Sequence, residues 1–197
     1  MAIADYERVE VETRAGWRAW LAANHATRVG AWAVWFKKSS GRATVAYEEL
    51  VEEALCFGWV DGVAGSVDEA RTRQYFAPRK RGSGWAATNK ARVARLIAEG
   101  LMTPAGLAVI EAAKTDGSWS LLDASEAAEM GDDLRAALGR HPMAAERFEA
   151  FPGRVRKNIL QWIDLARTPA TRAKRVEETA RLAAENVRAN QPKPKRR

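Results

Sequence analysis

The 197-residue chain has one cysteine, Cys56, and two histidines, His25 and His141. A single thiol cannot close an intramolecular disulfide, so nothing in the sequence asks for an oxidising compartment. Cys56 lies in the apolar run Leu55-Cys56-Phe57 with no basic neighbour, which predicts a buried small hydrophobe rather than a reactive thiol. The histidines stand apart from any nucleophile, and GxSxG, HExxH and CxxC are all missing. A zinc site would have to gather both histidines and Cys56 from distant positions, and no metal or cofactor is expected. Gly82-Ser83-Gly84 is too short to cradle a phosphate and reads as a loop. No window approaches the roughly 18 apolar residues of a membrane-spanning helix. The opening MAIADYERVEVETRAG lacks the basic and apolar regions of a signal peptide, so the expected location is the cytoplasm.

What is present is unevenly distributed. The formal charge of +7 comes mostly from residues 168–197, which hold nine Arg/Lys and three Glu. Within the rest, residues 1–70 carry a net −4, 71–95 a net +8 with no acid at all, and 96–153 a net −6. A local basic segment therefore survives the accounting, while a generally basic protein does not. A hydrophobic share of 47% with 29% charged residues suits one soluble globular chain.

Periodicity predicts an α+β fold: a small, mostly antiparallel sheet packed with helices, followed by an all-helical C-terminal module. Residues 7–12 alternate briefly and read as an edge strand, and Trp17, Trp20 and Leu21 mark a helix ending near Asn24-His25. Gly30 to Lys38 is apolar on both alternating sets, as in a strand buried on both faces. Tyr47, Leu50, Val51, Ala54 and Leu55 define the clearest amphipathic helix, with Glu48, Glu49, Glu52 and Glu53 on its predicted wet side. Gly58 ends it, Gly62 and Gly65 are expected to permit a tight reversal, and Val63–Val67 and Arg71–Phe76 form the expected hairpin. Alternation puts Arg71, Arg73 and Tyr75 on one side of the second strand and Thr72, Gln74 and Phe76 on the other. Ser83 is a candidate cap for a helix through Glu99, and Thr103-Pro104 and Thr168-Pro169 are cap-proline starts. The expected division is residues 1–120, a linker at 121–131, helices over 132–189 and a disordered basic tail at 190–197.

The runs YEELVEEALCFGWVDG, RTRQYFAPRKRGSGWAATN and GLMTPAGLAVIEAAKTDGSW, with LQWIDLARTPATRAKRVEETARLA near the end, resemble the YdeI/OmpD-associated family, the bacteriocin-protection proteins. The resemblance covers about residues 12–188. Its motif positions here are Cys56, Phe57, Gly58, Trp59, Asp61, Arg73, Phe76, Pro78, Arg79, Ser83, Trp85 and Asn89, with Ala46 in place of the usual Ser/Thr helix cap. The resemblance implies a part in protection against antimicrobial peptides, an association with an outer-membrane porin, and no agreed catalytic activity.

Cations beside aromatic faces suit an anionic or aromatic ligand. Among eight tryptophans, Trp17, Trp20, Trp32, Trp35 and Trp162 lie on apolar faces and read as core. Trp59 and Trp85 sit in glycine-flanked turns beside the basic segment and are the candidate ligand contacts. The favoured reading is a non-catalytic binding protein that sequesters a toxic small molecule or antimicrobial peptide. Its expected site is an aromatic, arginine-lined pocket made of Trp59, Asp61, Arg73, Phe76, Arg79, Trp85, Asn89 and Lys90. The rival is a nucleic-acid-associated protein that uses residues 71–95 and the tail for phosphate contacts. A third reading docks a protein partner on the C-terminal helices, and a fourth is an enzyme built on Asp61 with Arg73 or Arg79.

Overall fold

A buried apolar strand and an arginine-bearing hairpin make the centre of this fold. The computed structural model describes residues 5–190. The chain divides into two compact units, one holding the chain up to Ser83 with Thr88–Gly117, the other Gly84–Ala87 with the chain from Ser118 on.

In the first unit, β1 (Arg8–Glu10), β2 (Ala31–Phe36), β3 (Trp59–Ser66) and β4 (Arg71–Pro78) form one sheet in the order β1-β2-β4-β3. The β2–β4 and β4–β3 pairs are antiparallel, whereas β1 runs parallel to β2, so the sheet is mixed. Helix α1 (Arg14–Asn24) is capped by Thr13, whose hydroxyl accepts the Gly16 N–H at 3.0 Å. A 3₁₀ turn (Lys38–Ser40) leads on to α2 (Tyr47–Cys56). Alanine at the α2 cap has no oxygen to offer, and Glu49 supplies the other half of a capping box by accepting the Ala46 N–H at 2.9 Å. Helices α1 and α2 cover one sheet face, where Trp17 packs 5.3 Å from Phe76 and donates its indole N–H to Leu50 O. Helices α3 (Ala87–Ala98) and α4 (Pro104–Thr115) follow, the second capped by Thr103 as its cap-proline pair predicts.

Three local expectations need correction. β3 begins at Trp59 and contains Gly62 and Gly65, and the chain reverses at residues 67–70 instead. Gly62 falls where Gly62 and Val63 share one partner position, a bulge between Asp61 and Ala64, and a Cβ on Gly62 would lie 3.1 Å from Tyr75. Ser83 caps nothing: its hydroxyl donates to Lys80 O at 2.6 Å, and α3 starts at Ala87. Glu52 and Glu53 are buried rather than wet, because arginines from α1 and α3 reach them.

The second unit is helical: α5 (Asp123–Glu126), α6 (Asp132–Arg140), α7 (Ala144–Ala150), α8 (Gly153–Asp164) and α9 (Pro169–Ala184). Helices α6 to α9 enclose their own core, centred on Leu134, Leu138, Phe148, Ile159 and Ile163 with Val176, Ala180 and Ala183 of α9. Thr168 caps α9 by accepting the Thr171 N–H at 3.1 Å. Val187 lies beyond the end of α9 and is exposed. Asn190 sits in a turn, and the rest of the predicted disordered tail, residues 191–197, is outside the described residues.

Candidate functional site

The basic segment is built into the first unit largely by carboxylates contributed from elsewhere. Glu53, only 2% exposed, accepts Arg14 Nε and Arg18 Nη1, each at 2.6 Å. Glu52 takes Arg14 at 3.1 Å and also Arg95. Arg92 pairs with Glu48, and its other terminal nitrogen donates to Asn89 Oδ1 at 2.8 Å. Arg71 is held by Asp68 and Glu10, and Arg81 lies 3.5 Å from Asp116. Acids of residues 1–70 thus pair with Arg71, Arg92 and Arg95, three of the eight cations in the basic segment.

Asp61 anchors a second polar group. The Tyr47 hydroxyl donates to Asp61 Oδ2 at 2.7 Å, and burial together with that bond raises the Tyr47 phenol to about 12. Arg79 lies within the field of Asp61. Burial draws its guanidinium down to about 10, and the Asp61 charge opposes that shift. Helix and sheet thereby place Tyr47, Asp61 and Arg79 together, with Tyr47 40% exposed although its spacing put it on the apolar face. A groove of about 360 Å³ beside Tyr47 is lined by Trp35 and Phe36 among others, with neither Asp61 nor Arg79 in its wall.

Arg73 is held against a ring, where Arg71, Arg81, Arg92 and Arg95 are held by acids. Its guanidinium lies 4.2 Å from the Trp32 ring centroid, and its Nε is buried with no hydrogen-bond partner. Among the described residues no carboxylate pairs with it. Gly65, its partner on β3, leaves room for the side chain, since a Cβ there would sit 3.1 Å from Arg73 Nε. The β2–β4 register sets Trp32 opposite Tyr75 and Val34 opposite Arg73, which puts all four on one face. Tyr6 tilts against Tyr75 at 5.3 Å, and burial with the Tyr6 hydrogen bond raises the Tyr75 phenol to about 12. Gly30 is needed beside them, because a Cβ there would fall 2.1 Å from the Tyr75 oxygen.

The residues expected to form one pocket are distributed differently. Asp61 pairs in register with Phe76 and shares its face, whereas Arg73 points to the opposite face of the sheet. Trp59 is 1% exposed, packs edge-on to Trp20 at 5.9 Å and donates its indole N–H to His25 O at 3.2 Å. Phe76 is fully buried against Trp17. Trp85 is buried in the second compact unit, its ring 4.9 Å from Trp119. Asn89 is tied to Arg92, and Lys90 is half-buried on α3. Sequence reasoning assigned Trp32 only to the core and gave Tyr47 no site role. The available signal was positional: Tyr47 opens its helix beside exposed acids, and Trp32 precedes a strand partner rich in arginine.

Elsewhere, His25 Nδ1 contacts Leu21 O at 2.9 Å, and His141 Nε2 lies 2.8 Å from Glu177, which Arg140 also holds. Cys56 is buried, and burial pushes its thiol up. Among the described residues no group of three or more His, Cys, Asp or Glu could hold a metal ion, and no helix is long and apolar enough to cross a membrane.

Fold and site together define an α+β protein with a helical C-terminal module and arginine-rich polar clusters around its sheet. Residues 9–109, just over half of the chain, match the family model described as a domain of unknown function (DUF8412), and the chain belongs to that family. Residues 127–186, which span α6 to α9, match the model described as bacteriocin-protection, YdeI or OmpD-associated. No curated protein and no solved structure matches the chain. The sequence motifs around Trp59 and Arg73 fall in the first of these matches, and the family name attached to protection falls on the second.

Proposed function

We propose that this protein serves protection by holding a toxic compound without transforming it, and that Arg73 is the residue that recognises the compound. The observation that carries this reading is the guanidinium lying over Trp32 with no carboxylate partner among the described residues. A planar cation fixed on an indole has already lost most of its side-chain freedom, and its terminal nitrogens suit a carboxylate or phosphate. Because no described residue supplies a counter-charge, an anionic ligand would supply it, while an aromatic body could lie against the outer face of the guanidinium, since Trp32 and Tyr75 themselves are only 3% and 9% exposed. The ligand class is thus a flat, anionic aromatic compound. Asp61 with Tyr47 and Arg79 forms a separate polar cluster, and Trp59 and Phe76 support the sheet as core residues. The nucleic-acid reading loses support because Arg71, Arg81, Arg92 and Arg95 already face carboxylates.

Equilibrium dialysis of a panel of antimicrobial compounds, with single-stranded DNA included, followed by mass spectrometry of what is retained, tests this reading. The expected result is retention of flat anionic compounds with unchanged mass, weakened about tenfold or more in Arg73→Ala, as for loss of a charge-assisted contact of about 1.5–3 kcal/mol. Equal retention by Arg73→Ala, or a retained compound of altered mass, would overturn it. Retention of DNA alone, lost at higher salt, would put the nucleic-acid reading first.

A further inference from the structure

Among the described residues no strand pairs with the outer edge of β1, which lies beside a groove. Trp32 N–H donates to Glu7 O at 2.8 Å and Val11 N–H donates to Val34 O at 2.7 Å, so parallel pairing to β2 extends from Glu7 to Val11. Alternate residues bond in such a ladder, and the N–H and C=O groups of Arg8 and Glu10 therefore face away from the sheet. The opposite edge, β3, is broken by its bulge between Asp61 and Ala64, a device that discourages pairing. β1 keeps an unbroken register.

Alongside β1 runs a groove of about 340 Å³, lined by Val9 to Thr13 together with Gly16 and Trp20 of α1. Gly16 is exposed in its wall. Trp20 is half-exposed and rigidly placed, stacked on Trp17 at 5.2 Å and set edge-on to Trp59. The charged lining residues are Glu10 and Glu12, with no cation among them. Arg71 holds Glu10, and Glu12 is exposed.

We infer that β1 accepts an extended peptide as a fifth strand, with apolar side chains in the Gly16–Trp20 groove and basic ones on the alternate side, toward Glu10 and Glu12. Backbone bonds to Arg8 and Glu10 would supply affinity, and the groove and the two acids would supply selectivity. The partner class is a cationic peptide of alternating apolar and basic residues. The inference does not rest on the Arg73 reading: Glu10 shares a sheet face with Arg73 through Val34, but the bonds invoked are those of the β1 backbone.

Fluorescence anisotropy with a labelled Lys-Val-Lys-Val-Lys-Val peptide tests it, beside the same peptide N-methylated at alternate residues and a Glu-Val version. The expected result is saturable binding of the Lys-Val peptide only. Glu12→Lys should weaken it several-fold, and Glu10→Pro, which removes an outward N–H at a position where an edge strand tolerates proline, should weaken it at least tenfold. Equal binding of the N-methylated peptide to the unaltered protein would overturn the inference, whatever the fate of the proline variant. So would a dimer in solution that Glu10→Pro converts to monomer, because β1 would then serve a second copy.

Discussion

Replacing Glu53 by glutamine removes one charge from the most deeply buried ion cluster around α2. Glu53 binds Arg14 and Arg18 at 2.6 Å each, and Arg18 also donates to Leu101 O at 2.8 Å and lies 5.5 Å from the Phe57 ring centroid. Breaking a buried pair costs about 3–5 kcal/mol when the partner charge is stranded. Here the stranded partners are only partly sealed, with side-chain exposures of 33% and 34%, so both guanidiniums can regain water. The glutamine amide oxygen also keeps one neutral hydrogen bond, worth about 1 kcal/mol. The expected loss is therefore about 2–3 kcal/mol, or about 10 °C in Tm for a unit of this size. Urea unfolding followed by tryptophan fluorescence measures it, with Glu48→Gln as the control. Glu48 pairs with Arg92 but is 58% exposed, so its replacement should cost less than about 1 kcal/mol. A loss below about 0.5 kcal/mol for Glu53→Gln would refute the claim that these acids are structural counter-charges for the arginines.

Gly106→Ala should destabilise the first unit by about 2 kcal/mol or more by thermal unfolding, because its Cβ would lie 2.3 Å from the Cys56 carbonyl oxygen and the backbones of α4 and α2 would have to part. Tyr47 is held neutral up to about 12, above its ordinary 10.0, so its contribution to stability is complete below pH 10 and is lost as pH rises through 12. An ultraviolet titration of Tyr47→Phe should accordingly show one fewer late-ionising phenol than the unaltered chain. In the second unit, the Arg172 guanidinium holds Asp133 below its ordinary 3.8. That contribution is present above pH 3.8 and fades as pH falls through the lowered value, so Asp133→Asn should be less stable at neutral pH and converge with the unaltered chain in strong acid.

What the sequence revealed was mainly local. The two Thr-Pro starts and the alternation that puts Arg71, Arg73 and Tyr75 together depend on neighbours a few residues apart, and each appears in the structure. The misread positions depend on distant partners. Glu52 and Glu53 look solvated beside Glu48 and Glu49, and only the approach of Arg14, Arg18 and Arg95 makes their burial tolerable. Trp59 looked like a turn residue because Gly58 precedes it. Gly58 does adopt a left-handed φ of +74°, but β3 starts immediately afterwards and carries the indole inward. The eight positive charges were countable, yet which arginine meets the Trp32 ring is set by strand register, which no local pattern encodes.

The account stands most directly on Arg73 as an anion receptor. Tryptophan fluorescence titrated with a naphthalene carboxylate and with its uncharged methyl ester isolates the charge from the ring. The account predicts saturable quenching by the carboxylate alone, abolished in Arg73→Ala and weakened about tenfold in Arg73→Lys, which cannot reproduce the planar stack. Equal quenching by acid and ester, or quenching that survives Arg73→Ala, would contradict it.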